Sequence, residues 1–297
     1  MDIYDNDTNQ SHQYKEKVSK HGFFERSELN DWTPLWEKIA FFLLGFLGIK
    51  LYSLIVVRII YITPLVTVTE NGYVISTLGE TLANFLVYLL LVLSFLGFIF
   101  FDRRKTYKRI FIDFKNPVTY IWGFVGFALV LAFQLALGNL FTATIPFYGS
   151  NSNQSSIETM TSSYPVMLFI MTVFFAPFVE ELTYRCGLID TIGHNYKFRW
   201  LGIILSGLIF GLIHADLITP YSELMYAYSE NATNEVITQL RYSLYNELLN
   251  LPIYVGSGIF LGLTYAKSGK IASSMVAHFG VNLFSMVVSF IQLNFGK

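Results

Sequence analysis

Long apolar runs separated by short polar connections make up most of this chain. Seven of them approach or reach the roughly 20 residues a helix needs to cross a bilayer. They fall near 39–60, 82–101, 118–138, 165–188, 200–216, 251–266 and 271–293, the fifth and sixth being short. Inside lipid every backbone polar group must find a partner within its own segment, so these runs are expected to be helices. The two-residue alternation of a barrel is absent. The pattern predicts an all-α polytopic transmembrane bundle of about seven spans. Between 217 and 250, Leu224, Val236, Leu240, Leu244 and Leu248 recur at helical spacing. That predicts an amphipathic helix on the outer surface, a common solvated element that could also cover a site or contact a partner.

Composition agrees with this reading. Of 297 residues 53% are hydrophobic and only 14% charged, which excludes an ordinary soluble domain. The net charge of −1, with basic residues spread along the connections, carries no nucleic-acid signature. Residues 1–34 are polar and mixed in charge, without an apolar stretch before the first span. They are expected to form a mobile cytosolic arm, amphipathic around Phe23-Phe24, and not a cleavable signal peptide. The single cysteine, Cys186, excludes an intramolecular disulfide.

Charge orients the spans. Asp102–Pro117 holds Arg103, Arg104, Lys105, Lys108, Arg109 and Lys115, placing that loop in the cytoplasm. Lys197 with Arg199, and Lys267 with Lys270, fall on the same side if seven spans alternate. The loops at 63–81 and 142–164 have no Lys or Arg, and 217–250 has only Arg241. The N-terminus is therefore expected inside and the C-terminus outside. Within the first span, Arg58 can snorkel to the interface, whereas Lys50 lies nearer mid-span and should face other helices or water.

Candidate chemistry is concentrated in the second half. Glu180-Glu181-Leu-Thr-Tyr-Arg185 ends the apolar run from Val166 to Val179. Each intramembrane charge costs about 2.5–3.5 kcal/mol on insertion scales, so three within six residues need partners. Residues four apart share a helix face, so Glu181 and Arg185 can pair, with the carboxylate in the favourable N-terminal position. Glu180, about 100° round the helix, is left to point elsewhere. Two later spans carry Phe210-x3-His214 and His278-x3-Asn282. A water held between Glu180 and His214 could be deprotonated as it attacks a carbonyl. Donors from His278 and Asn282 could hold the oxyanion, each worth about 2.7–4 kcal/mol. Glu180, His214 and His278 would also be a Zn²⁺ ligand set, though there is no HExxH and nothing in the spacing demands a metal. Taken singly, each His or Asn could instead be a hydrogen bond between helices.

The ordered set resembles the CPBP family of CAAX-protease and bacteriocin-processing intramembrane proteases. The resemblance runs from about Pro165 to Leu293. Glu180-Glu181-x3-Arg185, Phe210-x3-His214 and Ser273-Ser-Met-Val-Ala-His278-Phe-Gly-Val-Asn282 carry it, with the Gly262–Gly269 loop in support. It implies an intramembrane endopeptidase acting on a membrane-associated protein or peptide. By it Glu180 and His214 would activate water, His278 and Asn282 would stabilise the oxyanion, and Glu181, Arg185 and Phe210 would support the site. No cofactor is required, although the family is often labelled metalloprotease and Zn²⁺ stays open. Residues 35–164 then form an N-terminal set of three spans and 165–297 the catalytic core. The family's distribution implies a bacterial plasma membrane. Some relatives imply another role: a scaffold partnering a cell-wall enzyme or sensor kinase, or self-immunity to a bacteriocin.

Overall fold

The computed structural model describes residues 23–25, 27–69, 72–101 and 108–295. Most of the tail, at 1–22, and the basic stretch 102–107 lie outside the described residues. In chain order the elements are α1 (Glu28–Trp32), α2 (Leu35–Tyr61), a hairpin of β1 (Val66–Thr69) and β2 (Gly72–Ile75), and α3 (Thr77–Phe101). There follow α4 (Arg109–Asp113), α5 (Pro117–Thr144), α6 (Ser152–Ser163) and α7 (Pro165–Ile192). The chain ends with α8 (Arg199–His214), α9 (Ile218–Ser229), α10 (Asn234–Ser268) and α11 (Ile271–Phe295). Seven of these helices are long and apolar enough to cross a membrane: α2, α3, α5, α7, the helix running through α8, α10 and α11. The fold is an all-α polytopic bundle.

Local sequence explains the helix ends. Asn116 accepts from the Val118 amide just before Pro117, and Thr233 accepts from Val236 to start α10. Gly269, at φ 65°, ends α10 in the left-handed conformation that glycine adopts without strain. The β-branched run Val66–Thr69 pairs antiparallel with Gly72–Ile75, a small hairpin the hydropathy pattern did not predict.

One close helix contact carries His214. Gly207 and Gly211, spaced as Gly-x3-Gly on α8, face α10. A Cβ on Gly207 would lie 2.9 Å from the Val255 carbonyl, and one on Gly211 3.0 Å from the Val255 amide nitrogen. Backbone cannot yield as a side-chain tip can, so only glycine permits this approach.

Two expectations require correction. The stretch 217–250 does not form one surface helix. It folds back after α9, through Asn231 at φ 52°, and its second half begins the 35-residue α10. At 1.5 Å per residue α10 is about 52 Å long, well beyond a hydrocarbon core of about 30 Å. Lys50, expected to face other helices or water, is exposed. It lies nine residues, and so about 180° of helix turn, from the buried Phe41. Residues 23–34 are not a free arm. Phe24 is buried and Phe23 stacks on Trp200 at 5.6 Å.

That docking rests on a polar cluster at the same end of the bundle. Arg199, expected to be a loop anchor, is fully buried and paired with Asp190 at 2.5 Å. Tyr265 donates to Asp190 at 2.6 Å and lies 2.9 Å from the Ser27 hydroxyl. Beside it, Lys38 donates to the Asn30 carbonyl at 2.6 Å and contacts His194 Nδ1 at 2.9 Å.

Candidate active site

α7 is not a plain α-helix. Residues 170–175 and 182–189 take the wider π register, with the α-helical segment Ala176–Glu181 between them. Pro177 supplies the reason for the first. The Ala176 amide bonds to Met171, five residues back, and in that register the Thr172 carbonyl faces Pro177, which has no N–H. Asn282 fills the gap, its Nδ2 donating to Thr172 O at 2.7 Å. One amide hydrogen of Asn282 is thus committed to backbone, and only the second is free for an oxyanion.

Glu180 and Glu181 point to different neighbours. Glu181 is fully buried and lies 2.9 Å from Arg185 Nε and 2.9 Å from His278 Nδ1. It also accepts from the Ser274 hydroxyl. The Arg185 contact is close but poorly aligned for a hydrogen bond, and its Nη1 and Nη2 have no acceptor among the described residues. The guanidinium carbon sits 5.5 Å from the centre of the Phe210 ring.

Glu180, 7% exposed, accepts from Tyr88 at 3.2 Å. Its other oxygen is 4.0 Å from His214 Nε2 and 3.8 Å from His278 Nε2. His214 Nδ1 lies 2.7 Å from the Phe210 carbonyl, an acceptor, so Nδ1 carries the proton and Nε2 presents a lone pair toward Glu180. The ring is also stacked on Tyr254 at 5.1 Å. His278 Nδ1 likewise donates to Glu181, which leaves its Nε2 toward Glu180.

Glu180, His214, His278 and Asn282 line one cavity of about 1070 Å³. Glu181, Arg185 and Phe210 sit behind or beside it, only Phe210 touching the wall. His214 is the last residue of α8, and its ring leans back along the helix to Phe210.

A Zn²⁺ ion bound by these groups would hold tetrahedral ligand atoms about 3.3–3.4 Å apart. The 3.8 and 4.0 Å separations are wider, and no group of three His, Cys, Asp or Glu among the described residues is spaced to hold a metal. The donor set as arranged does not fit Zn²⁺.

The motifs did not point to Tyr88 or Glu247. Glu247 is buried on α10 and binds the Ser152 amide at 2.7 Å and the Asp216 amide at 3.0 Å. Asn151, 3.3 Å from the same carboxylate, reaches the His214 carbonyl at 3.3 Å. Glu247 therefore caps α6 and fixes the chain just after His214. An acidic residue in a polar-looking surface stretch gives no sign of this. Glu247→Ala takes the acceptor from the part-buried Ser152 and Asp216 amides and one of two acceptors from Asn151 Nδ2, and a donor left unsatisfied when buried costs about 1–3 kcal/mol. The substitution is expected to lower Tm in thermal melts, more than Glu247→Gln, which keeps one oxygen.

Residues 162–284 match the family model described as type II CAAX prenyl endopeptidase Rce1-like. The UPF0177 protein YvdC of Lactococcus lactis is 27% identical over 189 residues, 63% of this chain and 66% of that protein. The membrane-embedded CAAX protease MroQ of Staphylococcus aureus is 23% identical over 256 residues, 82% of this chain and 91% of that one. The putative membrane peptidase YdiL of Bacillus subtilis is 21% identical over 168 residues, 57% and 55% of the two chains. The chain thus spans just under two thirds of the first relative and little more than half of the third. No solved structure matches it. The matched region holds Glu180-Glu181-x3-Arg185, His214 and His278-x3-Asn282 on three packed helices, and these matches support the likeness to the CPBP family.

Proposed function

We propose that this chain is an intramembrane endopeptidase that hydrolyses peptide bonds with a water held between Glu180 and His214. The observation that carries the reading is the 4.0 Å between Glu180 and His214 Nε2. Both are acceptors, and they are too far apart to bond directly. A water donating one hydrogen to each would set them about 4.4 Å apart. The structure provides close to that gap, at the wall of a cavity large enough for a peptide.

In the reaction, the water oxygen bonds to the scissile carbonyl carbon as Glu180 takes a proton. Charge develops on the carbonyl oxygen. His278 Nε2 can donate there only as the imidazolium, with Glu181 as its counter-charge, and Asn282 offers its second N–H. Collapse of the tetrahedral intermediate breaks the C–N bond, and Glu180 passes its proton to the leaving amine. A carboxylic acid and an amine result. Tyr88 holds the spare oxygen of Glu180, and Phe210 and Tyr254 fix the His214 ring.

The substrate class supported is a membrane protein or membrane-associated peptide, and the setting a bacterial plasma membrane with the N-terminus inside. The test uses purified protein in liposomes with a membrane-anchored, internally quenched reporter. Cleavage is expected to survive chelation. Loss on chelation with recovery on adding Zn²⁺ would reassign Glu180, His214 and His278 as ligands. A wild-type protein inert toward every reporter would favour a scaffold or immunity role.

A further inference from the structure

The cavity extends from Glu180 toward one end of the bundle only. Along α11 its wall continues from His278 to Ser289, about 16 Å at 1.5 Å per residue. At that end its wall holds the 148–157 segment, Asp216 and Asn250. Residues 148–151 and Asp216 lie in connections without Lys or Arg, 152–157 begin α6, and Asn250 lies on α10. No lining residue comes from 108–116, 193–199 or 266–270, the basic connections at the opposite end. A chain oriented with those basic loops in the cytoplasm opens this well to the outside.

The wall is also one-sided in charge. Glu180 and Asp216 are its ionisable carboxylates, and no Lys or Arg lines it among the described residues. His214 and His278 are the basic groups of the wall, both beside Glu180, and away from them the polar groups are neutral, with Asn84, Gln134, Asn153 and Gln154 among them. A helix N-terminus can receive an anion, and that of α6 lies in the wall. Two of its amides are already taken: Ser152 N by Glu247 and Gln154 N by Asn151. An anionic group entering a partly desolvated well would find no Lys or Arg along it and would meet two carboxylates.

Building on the endopeptidase reading, we infer that the well admits an extended, neutral or basic peptide segment from the extracytoplasmic face. It has no seat for a free C-terminal carboxylate. Neutral amides can read a peptide backbone without a charged anchor, and the two carboxylates favour Lys or Arg near the scissile bond.

The test separates the well from the catalysis. Ser285→Cys, which lines the cavity, and Ser222→Cys, exposed on α9 outside it, are made singly in a Cys186→Ser background and checked for parental Tm. Each is labelled in right-side-out and inverted vesicles with impermeant methanethiosulfonates, one trimethylammonium and one sulfonate. Position 285 is expected to react from the outer face, with a cation-to-anion rate ratio at least about tenfold above that at 222. Gln134→Cys carries the same expectation should Ser285→Cys fail to fold. Labelling only from the side of the basic loops, labelling from neither side, or a ratio equal to that at 222 would each overturn the inference. These rates do not depend on cleavage, so a protein inert as a protease would sink only the reading beneath it. In an active preparation, a C-terminally amidated reporter flanked by Lys should be cut at least about tenfold faster than its Asp-flanked, free-carboxylate counterpart.

Discussion

Glu180→Gln is expected to reduce reporter cleavage by at least about 10²–10⁴-fold, the range attributed to a positioned general base. The substitution keeps the shape of the side chain, and its amide oxygen can still accept from Tyr88. It removes the one capacity the reaction needs, accepting a proton from the bound water. Stability should not fall. Glu180 lies 3.8 Å or more from both histidines and shares no ion pair with Arg185, so no buried charge is left alone. Purified variant and parent, compared by cleavage in liposomes and by thermal melting, should differ in rate and agree in Tm. A variant that cleaves at the parental rate would remove Glu180 from the chemistry.

The opposite outcome is expected one residue later. Glu181→Ala leaves Arg185, His278 and Ser274 facing a void, whereas Arg185→Ala leaves only Glu181 short of one partner. Breaking a buried pair from one side costs about 3–5 kcal/mol. Both variants should therefore melt at lower temperature, with Glu181→Ala the worse. Activity in the surviving folded fraction should follow the same order, because Glu181 also holds the His278 ring. Equal destabilisation would mean that the histidine and serine contacts contribute little. A Glu181→Ala protein as stable as its parent would show that the pair is not what neutralises this charge cluster.

Much of this arrangement was legible in the chain, for identifiable reasons. The desolvation cost of charge in lipid makes Glu180, Glu181 and Arg185 conspicuous, and the four-residue spacing pairs two of them without reference to any other helix. The cavity position of Glu180 follows from its 100° offset. Asn282 shows where this logic stops. Its identity and spacing from His278 suggest a donor to substrate, yet its first hydrogen bond goes to a carbonyl that Pro177 leaves without a partner on another helix. Glu247 shows the same limit. In sequence it is one acidic residue in a polar stretch, and its three partners come from two other connections.

The sequence alone determined the helical class, the number of spans and the order of the three motifs, because hydropathy and i,i+4 spacing are local quantities set by backbone geometry and solvent. Tertiary structure decided the rest. It decided that α10 runs unbroken from Asn234 to Ser268, since the helix can continue into water without cost to its hydrogen bonds. It buried Arg199 against Asp190 and left Lys50 exposed, since a charge's environment depends on which helix face meets a neighbour. It also set the 4 Å gap at Glu180, which depends on the Gly207–Gly211 contact, the π register around Pro177 and the Asn282 bond acting at once. Distances between residues far apart in the chain arise from packing, and no local pattern encodes them.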